Sequence, residues 1–178
     1  SSILHPHLQP FLDPFPTNFQ RQLWRASKKY YRHHQKSYWG ELIKVERNSE
    51  RFLFETPTGF VFTPFAPLGF YEVNAILGNG ENLLDFSDKM LQELSEIIQR
   101  IFQFYHSRSH NSFNLVLFSP PIVEGEAKEL PCLLKICTRP VFTAFYRNDV
   151  TFFEKFHQET MIDKTPEEVA AEFRATIK

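Results

Sequence analysis

The 178-residue chain is 42% hydrophobic and 23% charged, which is enough for one domain with its own core. Its net charge of −1 excludes a strong overall attraction to nucleic acid or to an anionic membrane. No apolar run approaches the ~20 residues of a membrane-spanning helix. With two cysteines and no recognisable secretory segment, the protein is predicted to be cytoplasmic.

The first elements in chain order are a strand and two helices. Residues 1–13 read as a strand followed by prolines, and the chain opens into it without a methionine. We therefore expect that an upstream portion is missing. Thr17 or Asn18 can cap a helix from about Phe19 to His34, where apolar residues recur at helical spacing. A second short helix is predicted over Glu41–Asn48.

A change of hydrophobic period then predicts a β-meander and a long helix. The meander strands are aromatic and β-branched runs bounded by proline and glycine, namely Phe52–Thr56, Phe60–Thr63 and Glu72–Ile76. The helix covers residues 87–105, with one apolar stripe from Met90 to Tyr105. Further strands are predicted at Phe113–Phe118, at Leu133–Cys137 and in a continuation at Val141–Tyr146.

The last element is a helix with a clear capping sequence. Thr165 can cap it, Pro166 suits the first helical position, and Glu168 completes a capping box. Residues 124–130 are predicted to be a mobile loop of mixed charge. Because helices separate clusters of antiparallel strands, the sequence predicts the α+β class.

Two groups of residues look like binding sites but are interpreted as structural. The segment Lys28–His34 mixes basic and aromatic residues, a combination that can bind nucleic acid. On a helix, however, its basic side chains form a solvated face. Since the chain is nearly neutral, we predict no nucleic-acid partner and no membrane partner. Cys132 and Cys137 lack metal-ligand spacing and lie in or beside apolar runs, so both are expected in the core. The sequence contains no glycine-rich phosphate loop and no serine nucleophile elbow.

The strongest candidate site is the opening run SSILHPHLQ. In an extended segment, His5, His7 and Gln9 point to the same side. Histidine can act as a nucleophile towards phosphorus, and a neutral amide can donate a hydrogen bond to phosphoryl oxygens. A polar edge strand at the terminus is the alternative interpretation of the same pattern.

This run resembles the active-site motif of the galactose-1-phosphate uridylyltransferase family, a branch of the histidine-triad (HIT) superfamily. In that family a Ser-x-x-His-Pro-His-x-Gln run carries the nucleophile. The likeness continues in order along nearly all of the chain. Its other segments are Arg51–Thr56, Phe60–Pro67, Tyr71–Val73, Ser112–Leu115 and Thr165–Arg174. Together they resemble the second half of a family member.

The resemblance implies a fold and an activity. The fold would be a single HIT-like domain over residues 1–178, with helices packed on an antiparallel sheet. The activity would be uridylyl transfer between a UDP-sugar and a hexose 1-phosphate through a covalent histidine. In it, His7 would be the nucleophile, while His5 and Gln9 would bind substrate, Gln9 at the phosphoryl group.

The resemblance also implies a metal site that this chain does not keep. Many family members bind a metal with one glutamate and three histidines. The matching positions fall at Gln22, at Phe118 or Ser119, and within Cys132–Cys137, where no such ligand stands. We therefore predict that the protein binds no metal and no other cofactor.

Alternative functions stay open at this point. One is a catalytically degenerate binding or scaffold module. Another is a phosphorylase of nucleotide sugars or dinucleotides, which would use the same histidine with inorganic phosphate as acceptor. The isolated chain is expected to be inactive, because half of the nucleotide pocket would lie upstream. A homodimer is a possible assembly.

Overall fold

The computed structural model describes residues 15–78, 80–122, 130–138 and 162–177. Within these ranges the chain has an α+β fold with one five-stranded antiparallel sheet. The helices are α1 (Asn18–His34), α2 (Tyr38–Glu46), α3 (Asp88–Ser107) and α4 (Pro166–Thr176), with a 3₁₀ turn at Leu83–Asp85. The strands are β1 (Phe52–Glu55), β2 (Gly59–Phe62), β3 (Val73–Leu77), β4 (Phe113–Phe118) and β5 (Cys132–Thr138).

The order of strands in the sheet is β1-β2-β3-β5-β4. The first three strands pair in sequence order, so the predicted meander is confirmed. The chain then leaves the sheet through α3 and returns as β4 at the edge. The place beside β3 is filled by β5, with Ala75 opposite Leu134 and Asn74 opposite Lys135.

One face of the sheet packs against α3 and α4. Alternate residues of the central strands, such as Val73 and Ala75, point to this face and are fully buried. They meet Ile97, Ile101 and Phe104 from the apolar stripe of α3. The prediction that the long helix packs on one face of the sheet is therefore confirmed.

The opposite face is covered by α1 and α2. Its core contains Trp39, Phe60 and Phe62, with Leu23 and Trp24 of α1 packed against them. The indole nitrogen of Trp39 donates a buried hydrogen bond to the hydroxyl of Ser27 at 3.0 Å, which links the two helices. The sheet is thus enclosed between two helical layers, as burial of both strand faces requires.

The helix ends follow their capping residues. Thr165 and Glu168 form the predicted capping box, and Pro166 is the first residue of α4. The Thr17 hydroxyl accepts a bond from the Gln20 amide, so α1 begins at Asn18. The prediction for α2 was wrong at both ends. The hydroxyl of Ser37 accepts from the amide of Gly40, so this helix begins at Tyr38 and ends at Glu46.

Some predicted elements lie outside the described residues. These are the strand at 1–13, the continuation at Val141–Tyr146 and residues 124–129 of the predicted loop. The last residue of that loop, Leu130, is buried in the α1–α2 core, so the prediction of mobility was wrong there. Among the described residues, no helix is both long enough and apolar enough to span a membrane.

Candidate functional site

The candidate nucleophile His7 and its neighbours His5 and Gln9 lie outside the described residues. Their roles therefore stay predictions. The structure does describe the positions at which the resemblance placed a metal site, and it describes the polar side chains around them.

The structure brings the start of α1 and the end of β4 together. The rings of Phe19 and Phe118 lie 5.6 Å apart, and the Gln20 side-chain amide donates to the Ser119 carbonyl at 2.8 Å. Lys135 of β5 reaches the same place, with its ammonium 5.9 Å from the centre of the Phe19 ring. The start of α1, the end of β4 and β5, where the resemblance places metal ligands, thus lie side by side although they are distant in the sequence.

The side chains that meet here do not fit a metal ion. Phe118 offers no donor atom, Lys135 carries a positive charge, and Gln22 is exposed on the outer surface of α1. Transition metals need three or four converging imidazole, thiolate or carboxylate ligands. Within the described part of the chain, no group of three or more His, Cys, Asp or Glu side chains is placed to hold a metal. That the protein binds no metal remains a prediction.

A buried polar cluster replaces a metal-ligand set on this face of the sheet. Lys135 Nζ lies 2.6 Å from Glu72 Oε1, and the Glu72 side chain is only 3% exposed. The other carboxylate oxygen of Glu72 accepts from the backbone amide of Leu68. Asn74, in the amide orientation that its hydrogen bonds require, donates to Glu72 Oε1 at 2.9 Å. The cluster therefore ties β3, β5 and the loop before β3 together.

The chemistry of this cluster follows from its charge balance. Glu72 neutralises Lys135 and is itself saturated with donors, which satisfies both buried charges. A neutralised, hydrogen-bonded pair is suited to fixing the geometry of adjacent strands. It is poorly suited to holding a second charged ligand, because Lys135 has its counter-ion already.

A second titratable cluster joins the end of α3 to α4. The His110 imidazole stands edge-on to the Tyr71 ring at 4.6 Å, and its buried Nδ1 has no hydrogen-bond partner among the described residues. Lys164 lies over the same tyrosine ring and hydrogen-bonds to Glu172, which Arg108 also approaches at 3.4 Å. Burial lowers the pKa of His110, and the hydrogen bond to Glu172 raises the pKa of Lys164 above its usual value.

Sequence reasoning missed this second cluster. Its members come from four separate segments, and none of them belongs to a short motif. No spacing along the chain could have grouped them, because only the packing of α4 beside α3 places them together.

The two cysteines were predicted to be core residues. Cys132 is fully buried, which confirms this prediction for that residue, and its thiol donates to the carbonyl of Glu81 at 3.6 Å. Burial raises the pKa of the Cys132 thiol to about 11, so the thiol is protonated at neutral pH. Cys137 is only partly buried and is not in a disulfide.

Comparison of the sequence with known proteins finds a relative that matches nearly the whole chain. An uncharacterized protein of Archaeoglobus fulgidus is 29% identical over 174 residues, covering 98% of this chain and 52% of the relative. The chain thus spans about half the length of the curated relative it matches. No protein-family model matches the sequence.

Comparison of structures gives the fold. A uridylyltransferase matches with a TM-score of 0.74 and 19% identity, over 89% of this chain and 50% of the other. An ADP-glucose phosphorylase from Arabidopsis thaliana with bound ADP-glucose matches with a TM-score of 0.71 and 15% identity, over 89% and 48%. A zinc-bound histidine triad family protein from Mycobacterium smegmatis matches with a TM-score of 0.54 and 13% identity, over 80% and 94%.

These matches define the class of protein by its fold. The described residues have the fold of the histidine-triad superfamily. Within that superfamily they match about half of a uridylyltransferase-like chain, and the resemblance found in the sequence is confirmed at this level.

Proposed function

We propose that the protein containing this chain transfers a nucleotidyl group from a nucleotide sugar to a phosphate acceptor, through a covalent intermediate on His7. The observation that carries the proposal is the combination of the HPHLQ run with a fold that matches half of a uridylyltransferase at a TM-score of 0.74. The similar solved structures support the fold alone, and the proposed reaction rests on the HPHLQ run.

The reaction follows from the chemistry of imidazole. A neutral His7 nitrogen attacks the α-phosphorus of the nucleotide sugar, forming a P–N bond while the P–O bond to the sugar 1-phosphate breaks. An oxygen of the acceptor phosphate then attacks the same phosphorus. A new P–O bond forms, the P–N bond breaks, and the His7 imidazole is regenerated. Gln9 donates a hydrogen bond to a phosphoryl oxygen as charge builds on it. His5, two residues before His7, is proposed to contact the substrate.

The acceptor separates two forms of the proposal. With a hexose 1-phosphate as acceptor and a UDP-sugar as donor, the protein is a uridylyltransferase. The match to an ADP-glucose phosphorylase favours a second form, in which inorganic phosphate is the acceptor. Both forms use the same histidine intermediate.

The test is intact-protein mass spectrometry of the full-length protein that contains this chain. Incubation with UDP-glucose is expected to add one uridylyl mass, and incubation with ADP-glucose would instead add one adenylyl mass. His7→Gly should abolish the adduct, and Gln9→Ala should slow its formation about 10²-fold. A matched control is His33→Gln on the exposed surface of α1, which should leave the adduct unchanged.

The acceptor is identified in a second step. Galactose 1-phosphate and inorganic phosphate are added separately to the isolated adduct, and the one that removes it names the reaction. If no adduct forms with either nucleotide sugar, or if it persists in His7→Gly, the proposal is wrong. The non-catalytic binding or scaffold function would then be the better explanation.

A further inference from the structure

One helix of this protein, α1, carries basic residues without any acidic ones. Five of the 20 lysines and arginines lie in α1, and this 17-residue helix contains no aspartate or glutamate. The rest of the chain therefore carries 15 basic residues against 21 acidic ones. The near-zero net charge hides a strongly positive helix on an otherwise negative protein.

The five cations form one continuous face of α1. Each of them stands three or four residues from another member of the set, a spacing that places their Cβ atoms about 5–6 Å apart on the helix surface. The members of this basic face are Arg21, Arg25, Lys28, Lys29 and Arg32. All except Lys28 are exposed, and Lys28 lies with its ammonium 4.4 Å from the centre of the Trp24 ring.

Within the described part of the chain, the basic face lacks the counter-charges that other helices have. In α2, Lys44 pairs with Glu41 at 2.8 Å, and beside α4, Lys164 pairs with Glu172. Over the ranges that the structure describes, none of the five cations of α1 forms an ion pair with a carboxylate. Unpaired cations in a row repel one another, so a bound polyanion would be favoured.

We propose that the basic face of α1 binds single-stranded nucleic acid along its sugar–phosphate backbone. Three of the five cations are arginines, whose planar guanidinium groups bind phosphate with two parallel hydrogen bonds. The expectation of no nucleic-acid partner rested on the net charge of the whole chain. The structure removes that argument, because the charges are separated in space.

Exposed aromatic rings distinguish this partner from other polyanions. Tyr31 lies beside the basic face and is 39% exposed, and Tyr38 at the start of α2 is 41% exposed. The ring of Tyr30, the residue before Tyr31, contacts that of Tyr38, with the ring centres 5.5 Å apart. A basic strip flanked by open aromatic rings is the arrangement that stacks bases while it follows a single strand.

A membrane surface fits this helix less well. Interfacial helices insert their apolar side into the lipid. In α1 the apolar side, with Leu23 and Trp24, is already packed against the sheet. The basic side chains of α1 could attract anionic lipid, but the helix has no free apolar side to insert into it.

The test measures binding of the 178-residue chain to a fluorescein-labelled 20-nucleotide oligo-U RNA at several salt concentrations. We expect a Kd of roughly 10⁻⁵ M at low salt, with log K falling against log[salt] at a slope of about −3, the value for four to five phosphate contacts. The double variant Arg25→Glu/Arg32→Glu should weaken binding at least about tenfold and reduce the slope by about 1.4. Its matched control, Lys44→Glu/Lys89→Glu, changes the net charge equally at exposed positions of other helices and should bind within twofold of the parent.

A second variant separates RNA from a general polyanion. Tyr31→Ala should weaken binding of oligo-U at least about fivefold without changing the salt slope, because it removes stacking and no charge. It should leave binding of inorganic polyphosphate unchanged. Circular dichroism checks the fold of each variant, and Arg25→Gln/Arg32→Gln replaces the charge-reversal variant if that one does not fold.

Several results would overturn the proposal. These are no binding of oligo-U at low salt, equal losses in the control and the α1 variants, or equal effects of Tyr31→Ala on RNA and polyphosphate. Tighter binding to phosphatidylserine vesicles or to polyglutamate than to oligo-U, at equal anionic charge, would assign the face to a membrane or to an acidic protein instead.

Discussion

Lys135 of β5 and Glu72, the residue just before β3, form an ion pair with their charged atoms 2.6 Å apart. The lysine side chain is 17% exposed and the glutamate 3%. The pair therefore lies where an unpaired charge would be poorly hydrated, and each partner depends on the other.

Replacing Glu72 with Gln is expected to destabilise the protein by about 2–4 kcal/mol. The substitution leaves the Lys135 ammonium without its counter-ion in a mostly buried place. Urea unfolding followed by circular dichroism measures the change. The double variant Glu72→Gln/Lys135→Met should be more stable than the single one, because it removes the orphaned charge.

The exposed pair of Arg47 and Glu55 is the control. Their side chains are 48% and 46% exposed, so Glu55→Gln should change stability by less than about 0.5 kcal/mol. If Glu72→Gln is equally mild, the central pair does not hold the sheet together.

The purified protein is expected to carry no stoichiometric transition metal. The expectation rests on Gln22, on Phe118 and on the Cys132–Cys137 stretch without histidine, which stand where the resemblance places ligands. Elemental analysis by inductively coupled plasma mass spectrometry, after dialysis without chelator, measures the metal content. One zinc or iron per chain would contradict the prediction and would direct attention to His5.

His110 is expected to make the protein less stable as the pH falls. Burial lowers its pKa from 6.5 in the folded state, so below that pH the unfolded chain binds a proton that the folded one excludes. The contribution of His110 to the free energy of unfolding should therefore be constant above about pH 7. It should fall as the pH drops through 6.5, by at most about 1.4 kcal/mol per pH unit. His110→Gln should flatten this part of the profile.

The measurement is the urea midpoint at half-unit steps from pH 8 to pH 5. His106→Gln is the matched control, since His106 is an exposed histidine in the last turn of α3. It should keep the parent slope. An unchanged slope in His110→Gln would show that another group controls this pH range.

Cys132 is expected to resist alkylation in the folded protein. Its thiol is fully buried and its pKa is raised to about 11, so almost no thiolate is present at pH 8. Iodoacetamide followed by peptide mass spectrometry should label Cys137 first, and Cys132 only after urea is added. Because the raised pKa favours the neutral thiol, its contribution to stability should be lost as the pH rises from about 9 towards 11. Labelling of Cys132 at the same rate as Cys137 without urea would contradict the prediction.

Helix ends and strand positions could be predicted well from the sequence where the signals are local. Thr165, Pro166 and Glu168 are neighbours in the chain, and a capping box needs only those neighbours to form. The stripe from Met90 to Tyr105 likewise predicts a helix because its period belongs to one segment. Ser37 is a local capping signal of the same kind, since its hydroxyl accepts from the Gly40 amide at the start of α2.

The candidate catalytic residues also came from the sequence alone. His5, His7 and Gln9 lie within five residues of one another, so the period of an extended strand is enough to put them on one side. The comparison of structures shows a matching fold and does not test these three residues, which lie outside the described part of the structure.

Only the tertiary structure decided the contacts between distant segments. The placement of β5 beside β3, and with it the pairing of Lys135 with Glu72, depends on how α3 carries the chain across the sheet. The neighbourhood of His110 depends on where α4 docks, and the exposure of the basic face depends on which side of α1 is buried. The physical reason is the range of the forces: capping and hydrophobic period act within a few residues, whereas burial and charge pairing depend on which segments the whole chain packs together.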